Sequence, residues 1–195
     1  PPDLVAAWGT GENFLDTPAS VSNVPLGTTQ VRALASGTSH VVALRANRTV
    51  VAWGDTTFGQ ATVPQINDFV NSVAAGGNVS GAVLADGTVK LWGQGNLGLL
   101  VPPEGLTGVK QLAIGTTHVV ALKTDGTLVG WGSNTAGQMA WPAGLNDAVE
   151  VAAGVQTTLV RRRDGTVLAF GSATIRAVPA GAWVTARKDP ASRSH

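Results

Sequence analysis

The sequence predicts an all-β fold assembled from repeats of about 39 residues, and three observations carry that prediction. The chain holds 25 glycines and 10 prolines beside only 13% charged residues, which suits many short strands joined by tight turns and leaves little for long charged helix faces. A Trp-Gly pair recurs at Trp53-Gly54, Trp92-Gly93 and Trp131-Gly132, and as Phe170-Gly171, in equal steps of 39 residues, with Trp8-Gly9 standing 45 residues ahead of the first. Gly37, Gly76, Gly115 and Gly154 keep the same step. A period of roughly 20–50 residues with glycines in fixed places signals a solenoid, a propeller or an array, because one such unit cannot cover its own apolar faces.

Each unit reads as three strands. In the third, "VKQLA" (109–113) leads through a Gly-containing turn to "HVVALK" (118–123), which meets "TLVGW" (127–131) across Thr124-Asp125-Gly126. Asp-Gly between two apolar runs is a strong hairpin signal. The "AIG" and "AAG" endings of the first strands place minimal side chains where another backbone must come close. The segment "SNTAGQMAWP" reads as a loop, with room for a short fourth strand, and carries the fixed columns Gly59, Gly98, Gly137 and Pro64, Pro103, Pro142. Pro25 joins the proline column once a six-residue insertion in the first interval is removed. Strand cores that are almost continuously apolar imply sheets covered on both faces. The repeated Trp is then a wedge between neighbouring sheets, and the Gly after it permits a turn that a side chain would block.

Composition excludes several chemistries. The net charge of +1 and the lack of a dense basic patch give no electrostatic basis for binding nucleic acid. Arg161-Arg162-Arg163 precedes an Asp-Gly turn and reads as a solvated hairpin end. There is no cysteine, so disulfides, thiolate metal sites and Cys nucleophiles are ruled out together. No run approaches the ~18 apolar residues of a membrane helix, and no membrane insertion is expected. The Pro-Pro start reads as a mature chain or a piece of a longer one.

The phrases "GTSHVVAL" (37–44), "DGTLVGWGSNTAGQ" (125–138) and "WPAGLNDAVEVAAG" (141–154) resemble the regulator of chromosome condensation repeat, and more so its short-repeat bacterial branch that includes beta-lactamase inhibitory protein II. The resemblance implies a β-propeller, commonly of seven blades. Four units are complete here, with an extra "LVAAWG" (4–9) in front and "AWVTAR" (182–187) behind. We expect one domain over 1–188, followed by a tail or linker at 189–195. Within it the terminal strands would pair into a fifth blade and close the ring; the alternative is part of a seven-bladed ring.

Residues able to carry chemistry are few. His40 and His118 share one column two units apart, with Val79 and Thr157 in the others, so joint metal binding is not expected; in the family this histidine looks like a turn-stabilising residue. Asp86, Asp125 and Asp164 sit at hairpins, where a carboxylate accepting a backbone N–H accounts for them. There is no Gly-x-Ser-x-Gly elbow and no strand–glycine loop–helix context for phosphate. Neither an active site nor a cofactor is expected.

Two sequons, Asn47-Arg48-Thr49 and Asn78-Val79-Ser80, make Asn47 and Asn78 candidate N-glycosylation sites. The loops after each Trp-Gly are the expected binding face, since a rigid ring can present variable loops. Phe58, Leu97, Asn134 and Trp141 are the candidate contact residues there, with packing beneath neighbouring loops the competing role for Phe58 and Trp141. The leading functional expectation is a non-enzymatic secreted or cell-surface module that binds another protein or copies of itself. Inhibition of a partner enzyme such as a beta-lactamase and guanine nucleotide exchange are the alternatives. The chain has no Tyr for the first, and neither an acidic exchange loop nor a basic arm for the second.

Overall fold

The computed structural model describes residues 24–25 and 28–172. They form four three-stranded antiparallel sheets, each ordered first, second, third along the chain. Blade 1 holds β1 (Val31–Ser36), β2 (His40–Arg45) and β3 (Val50–Gly54); blade 2 holds β4 (Val70–Gly76), β5 (Val79–Leu84) and β6 (Val89–Gly93). Blade 3 holds β7 (Val109–Ile114), β8 (His118–Lys123) and β9 (Leu128–Gly132), and blade 4 holds β10 (Ala148–Ala153), β11 (Thr157–Arg162) and β12 (Val167–Gly171). The architecture is the predicted all-β one. The segments 55–69, 94–108 and 133–147 contribute no fourth strand; a 3-10 turn at Asn96–Gly98 is the regular element found in them.

Register repeats from blade to blade. His40 faces Gly54 across β2 and β3, as His118 faces Gly132 across β8 and β9. Each first strand carries a bulge at its start, between Val31 and Ala33, Val70 and Ser72, Val109 and Gln111, and Ala148 and Glu150. A bulge at a fixed place adds local twist and turns each sheet against the next by the same amount.

The second strands are the most enclosed: Val42, Val83, Val119, Val120 and Val160 have no accessible surface. Their apolar atoms sit in three clusters, one at each seam. Val42, Leu44, Val70 and Trp92 join blades 1 and 2; Val79, Leu99, Leu112, Ile114 and Trp131 join 2 and 3; Val120, Leu122, Val151 and Val160 join 3 and 4. The core lies between sheets, so each blade is stabilised chiefly by its neighbours, at about 1.5–3 kcal/mol per fully buried Val or Leu.

Glycine makes that closeness possible. A Cβ at Gly76 would lie 1.8 Å from the Ile114 carbonyl oxygen, and one at Gly115 would lie 2.3 Å from the Gly154 oxygen, so the first strands of successive blades touch backbone to backbone. In the Trp-Gly column Gly54, Gly93, Gly132 and Gly171 take φ of 103°, 109°, 94° and 113°, a region closed to most side chains. The predicted reasons for both columns hold. Trp8-Gly9, the segments 4–9 and 182–187 expected to close the ring, His195, the domain limit at residue 188 and the tail lie outside the described residues.

Candidate interaction surface

The repeat gives the described arc two ends. At the loop end lie the turns between first and second strands and the loops after each Trp-Gly; at the hairpin end lie the Asp-Gly turns joining second to third strands. The hairpin turns are built as expected: the carboxylates of Asp86, Asp125 and Asp164 each accept the N–H and the hydroxyl of the Thr two residues on, at 2.6–2.9 Å. Those hydrogen bonds, the hydroxyl foremost, hold the three carboxyls below their ordinary range.

The loop end is pinned from beneath. Gln60 is fully buried; its Oε1 accepts the Phe58 N–H at 2.8 Å and its Nε2 donates to Asp55 Oδ2 at 2.9 Å. Its backbone carbonyl accepts two donors from blade 2, the Ser80 hydroxyl at 2.7 Å and the Trp92 indole N–H at 3.0 Å. The Trp131 indole likewise donates to the Leu99 carbonyl at 2.9 Å. The repeated tryptophans therefore do more than fill a wedge: they tie the preceding loop down. In blade 3 Gln138 repeats part of the role of Gln60, its Oε1 accepting the Ala136 N–H at 2.9 Å.

His40 and His118 hold blades together rather than turns. His40 Nε2 lies 2.8 Å from the Ser80 hydroxyl and His118 Nε2 lies 2.8 Å from the Thr158 hydroxyl, each pair fully buried and spanning one seam. The Ser80 proton goes to the Gln60 carbonyl, so His40 donates from Nε2 and its Nδ1 is bare. Burial lowers the pKa of both histidines, opposed at His40 by the charge of Asp55, and keeps the rings neutral. Although Ser80 and His40 are in contact, the serine is enclosed and its proton points away from the imidazole, the reverse of an activated nucleophile. Among the described residues no group of three or more His, Cys, Asp and Glu could hold a metal ion.

These latches alternate. The seams between blades 1 and 2 and between blades 3 and 4 carry a His–hydroxyl pair and a Thr N–H to Gly carbonyl bond, Thr38 to Gly77 and Thr116 to Gly154. The seam between blades 2 and 3 brings Val79 and Val119 to the His and hydroxyl columns, where the contact is apolar. Gln111 adds to the last seam, its side-chain amide pairing with both the N–H and the carbonyl of Val151 at 3.2 and 2.9 Å.

Of the four contact residues expected from sequence, three lie in the open at the loop end. Phe58 is 45% exposed and Leu97 61%, the latter at φ 58°; Asn134 is exposed with its Oδ1 accepting the Met139 N–H at 2.8 Å. Trp141 is half-buried instead, edge-on to Phe170 with ring centroids 6.2 Å apart, and packs blade 3 on blade 4. Val155, in the turn between β10 and β11, adds a further exposed apolar side chain to this end. Sequence reasoning missed Gln60, although its recurrence at Gln138, seven residues after Trp-column positions two repeats apart, was a readable signal. Of the sequons, Asn47 is exposed at a hairpin apex, whereas the Asn78 amide is half-buried and donates to Gln94 Oε1 at 3.0 Å.

Residues 31–60 and 109–138 match the family model of the regulator of chromosome condensation (RCC1) repeat. Two of the four described repeats thus match the RCC1 repeat. The two matched segments are the two blades that bear the latch histidines, His40 and His118. The RCC1-like fold is similar to the ectodomain of the receptor kinase CR4 from Physcomitrella patens, at 25% identity and a TM-score of 0.61 over 72% of this chain and 40% of that one. It is similar also to the ectodomain of the Arabidopsis thaliana receptor kinase ACR4 (22%, 0.61, 72% and 50%) and to Prp20p from Saccharomyces cerevisiae (20%, 0.58, 71% and 44%). The chain spans half or less of the length of these structures. No curated protein matches the sequence. Among the described residues no helix is long and apolar enough to cross a membrane.

Proposed function

We propose that this RCC1-repeat chain is a non-enzymatic module that presents its loop end to another protein or to copies of itself. The observation that carries the reading is the exposure of Phe58, Leu97 and Val155 on one end of a rigid framework, on loops and a turn that buried hydrogen bonds and close backbone packing hold in place. Large apolar side chains fixed in the open lose little freedom on binding and are favoured as anchors at interfaces. Proteins of this fold bind other proteins: Prp20p has binding properties toward Gsp1p and histones, and yeast RCC1 binds Kap60. A site outside the cytoplasm is supported by the two sequons and by the receptor ectodomains of like fold.

The test places a photo-crosslinking residue at Phe58 or Leu97 and, as the contrast, at Asp125 on the hairpin end. The reading requires a discrete adduct, with one partner or with a second copy, from the loop positions alone. Equal crosslinking from Asp125, or none from Phe58 and Leu97, refutes it. Intact mass of native material decides the location: a glycan on Asn47 supports the secretory route, and an unmodified chain removes that support.

A further inference from the structure

The hairpin of blade 1 departs from the other three in a way that leaves positive charge unmatched among the described residues. Blades 2, 3 and 4 turn on Asp86-Gly87, Asp125-Gly126 and Asp164-Gly165, with the glycines at φ of 80°, 84° and 87°. Blade 1 turns on Asn47-Arg48, and Arg48 accepts φ of 65°, a conformation unfavourable for a side-chain-bearing residue. Strain of this kind persists where something else requires the residue.

Blade 4 shows what blade 1 lacks. Arg162 ends β11 as Arg45 ends β2, and its Nε donates to both carboxylate oxygens of Asp147, at 3.0 and 2.9 Å, while Asp164 Oδ2 lies 3.7 Å from Nη1. The Asp147 carbonyl accepts the Arg163 N–H as the Gln30 carbonyl accepts the Ala46 N–H, so Gln30 occupies the place of Asp147, and Asn47 that of Asp164. Both carboxylates that clamp the blade-4 arginine are amides in blade 1. Arg45 is left with its Nε buried and without a hydrogen-bond partner among the described residues. No Asp or Glu occurs between Asp16 and Asp55, a stretch that holds Arg32, Arg45 and Arg48. The nearby Asp68 spends one carboxylate oxygen on the Phe69 N–H at 2.7 Å, and the ion pairs among the described residues all involve Lys123, Arg161 or Arg162.

Beside this charge lies a groove of about 430 Å³ between the hairpin and the connector to blade 2, with Val63, Pro64, Ile66 and Phe69 forming its apolar part and Arg48 and Asp68 its charged part. Phe69 is 61% exposed, with the Arg48 guanidinium 5.7 Å from its ring centroid. Phe69 is the blade-2 member of the column that holds Gln30, Gly108 and Asp147 in blades 1, 3 and 4, so an aromatic borders the blade-1 hairpin and none of the other described ones from this position.

We propose that the blade-1 hairpin end docks an acidic segment of a partner protein, with its carboxylates on Arg45 and Arg48 and a neighbouring apolar side chain in the groove beside Phe69. Carboxylate is the ligand chemistry because the matching arginine of blade 4 is filled by carboxylates, and the groove favours a peptide over a bare polyanion. The surface lies at the opposite end from Phe58 and Leu97, so its failure and that of the loop-end reading are separate results.

The probe is a fluorescein-labelled peptide alternating glutamate and leucine, with a glutamine–leucine peptide as its neutral counterpart. Anisotropy is measured on bacterially produced, unglycosylated chain, so that binding reports the hairpin side chains themselves. The glutamate peptide binds, the neutral one does not, and added salt weakens binding. Gln30→Asp/Asn47→Asp restores the blade-4 carboxylates and weakens binding roughly tenfold or more while raising Tm. Arg48→Gly, which restores the turn used elsewhere, does the same without risk to folding. Binding unchanged in both variants, no binding by the parent, or equal competition by an oligonucleotide of the same charge overturns the proposal.

Discussion

Replacing Gly76 with alanine tests the seam between blades 2 and 3 directly. The added Cβ would lie 1.8 Å from the Ile114 carbonyl oxygen, 2.6 Å from its carbonyl carbon and 3.2 Å from the Gly115 oxygen, all backbone atoms that cannot rotate aside. Ordinary contact would require the two first strands to separate by more than ~1 Å, parting side chains packed at interior density. Overpacking of a close-packed interior costs about 1–3 kcal/mol, and a clash confined to backbone belongs at the upper end, near 3 kcal/mol. For a chain of this size each kcal/mol moves Tm by about 2–4 °C, so the variant melts about 6–12 °C below the parent. Thermal unfolding followed by circular dichroism gives the number, and a urea titration with unchanged m-value shows that the same cooperative unit is melting. A variant melting within ~2 °C of the parent refutes the claim that adjacent blades touch through their glycines.

Further outcomes follow from the same contacts. Gly154→Ala meets nothing closer than Thr157 at 3.9 Å among the described residues, so a loss as large as that of Gly76→Ala would reveal a further blade packed on blade 4, and a neutral result would argue against ring closure there. His40 and His118 have folded-state pKa values lowered by burial, so unfolding takes up protons: stability is full above about pH 6.5 and falls as pH drops below it. Replacing both with Gln abolishes this step. The later loss, as Asp86, Asp125 and Asp164 protonate below their ordinary range, remains; a single transition in both proteins would contradict the assignment. A double-mutant cycle of His118→Ala and Thr158→Val gives a coupling of about 1 kcal/mol across the seam, and zero coupling would dismiss the latch. Trp131→Phe leaves the Leu99 carbonyl without its donor and destabilises by about 1–3 kcal/mol, read from the urea midpoint.

Much of the fold was legible because the repeat prints each backbone requirement several times. Val109–Ile114, His118–Lys123 and Leu128–Gly132 fall within a residue of the strands read from sequence, since Asp-Gly and Trp-Gly mark places where only particular φ values close the turn. The bulge at the head of every first strand was not legible: it occupies Arg32, Asn71, Lys110 and Val149, a column with no common chemistry. The histidine column was seen, but its cross-seam partners Ser80 and Thr158 lie 40 residues on, in a column that alternates with valine. Exposure of Phe58 and Leu97 followed from their place in the loops, whereas Trp141 found an aromatic neighbour, Phe170, that no local pattern specifies. The loss of both clamping carboxylates at Arg45 emerges only when structurally equivalent residues are compared, because Gln30 is unremarkable by itself and Asn47 stands out in the sequence only as part of a sequon.

The alternation of seams has a consequence for how such an arc can grow. Its true module is a doublet of 78 residues, His-bearing and hydroxyl-bearing sheets in turn, which is also the offset between His40 and His118. Inserting or excising a single sheet would set a buried histidine or hydroxyl against a valine, while a doublet could be added without disturbing either neighbour. Any closed circle with an odd number of such sheets must therefore contain one joint of a different make from all the rest.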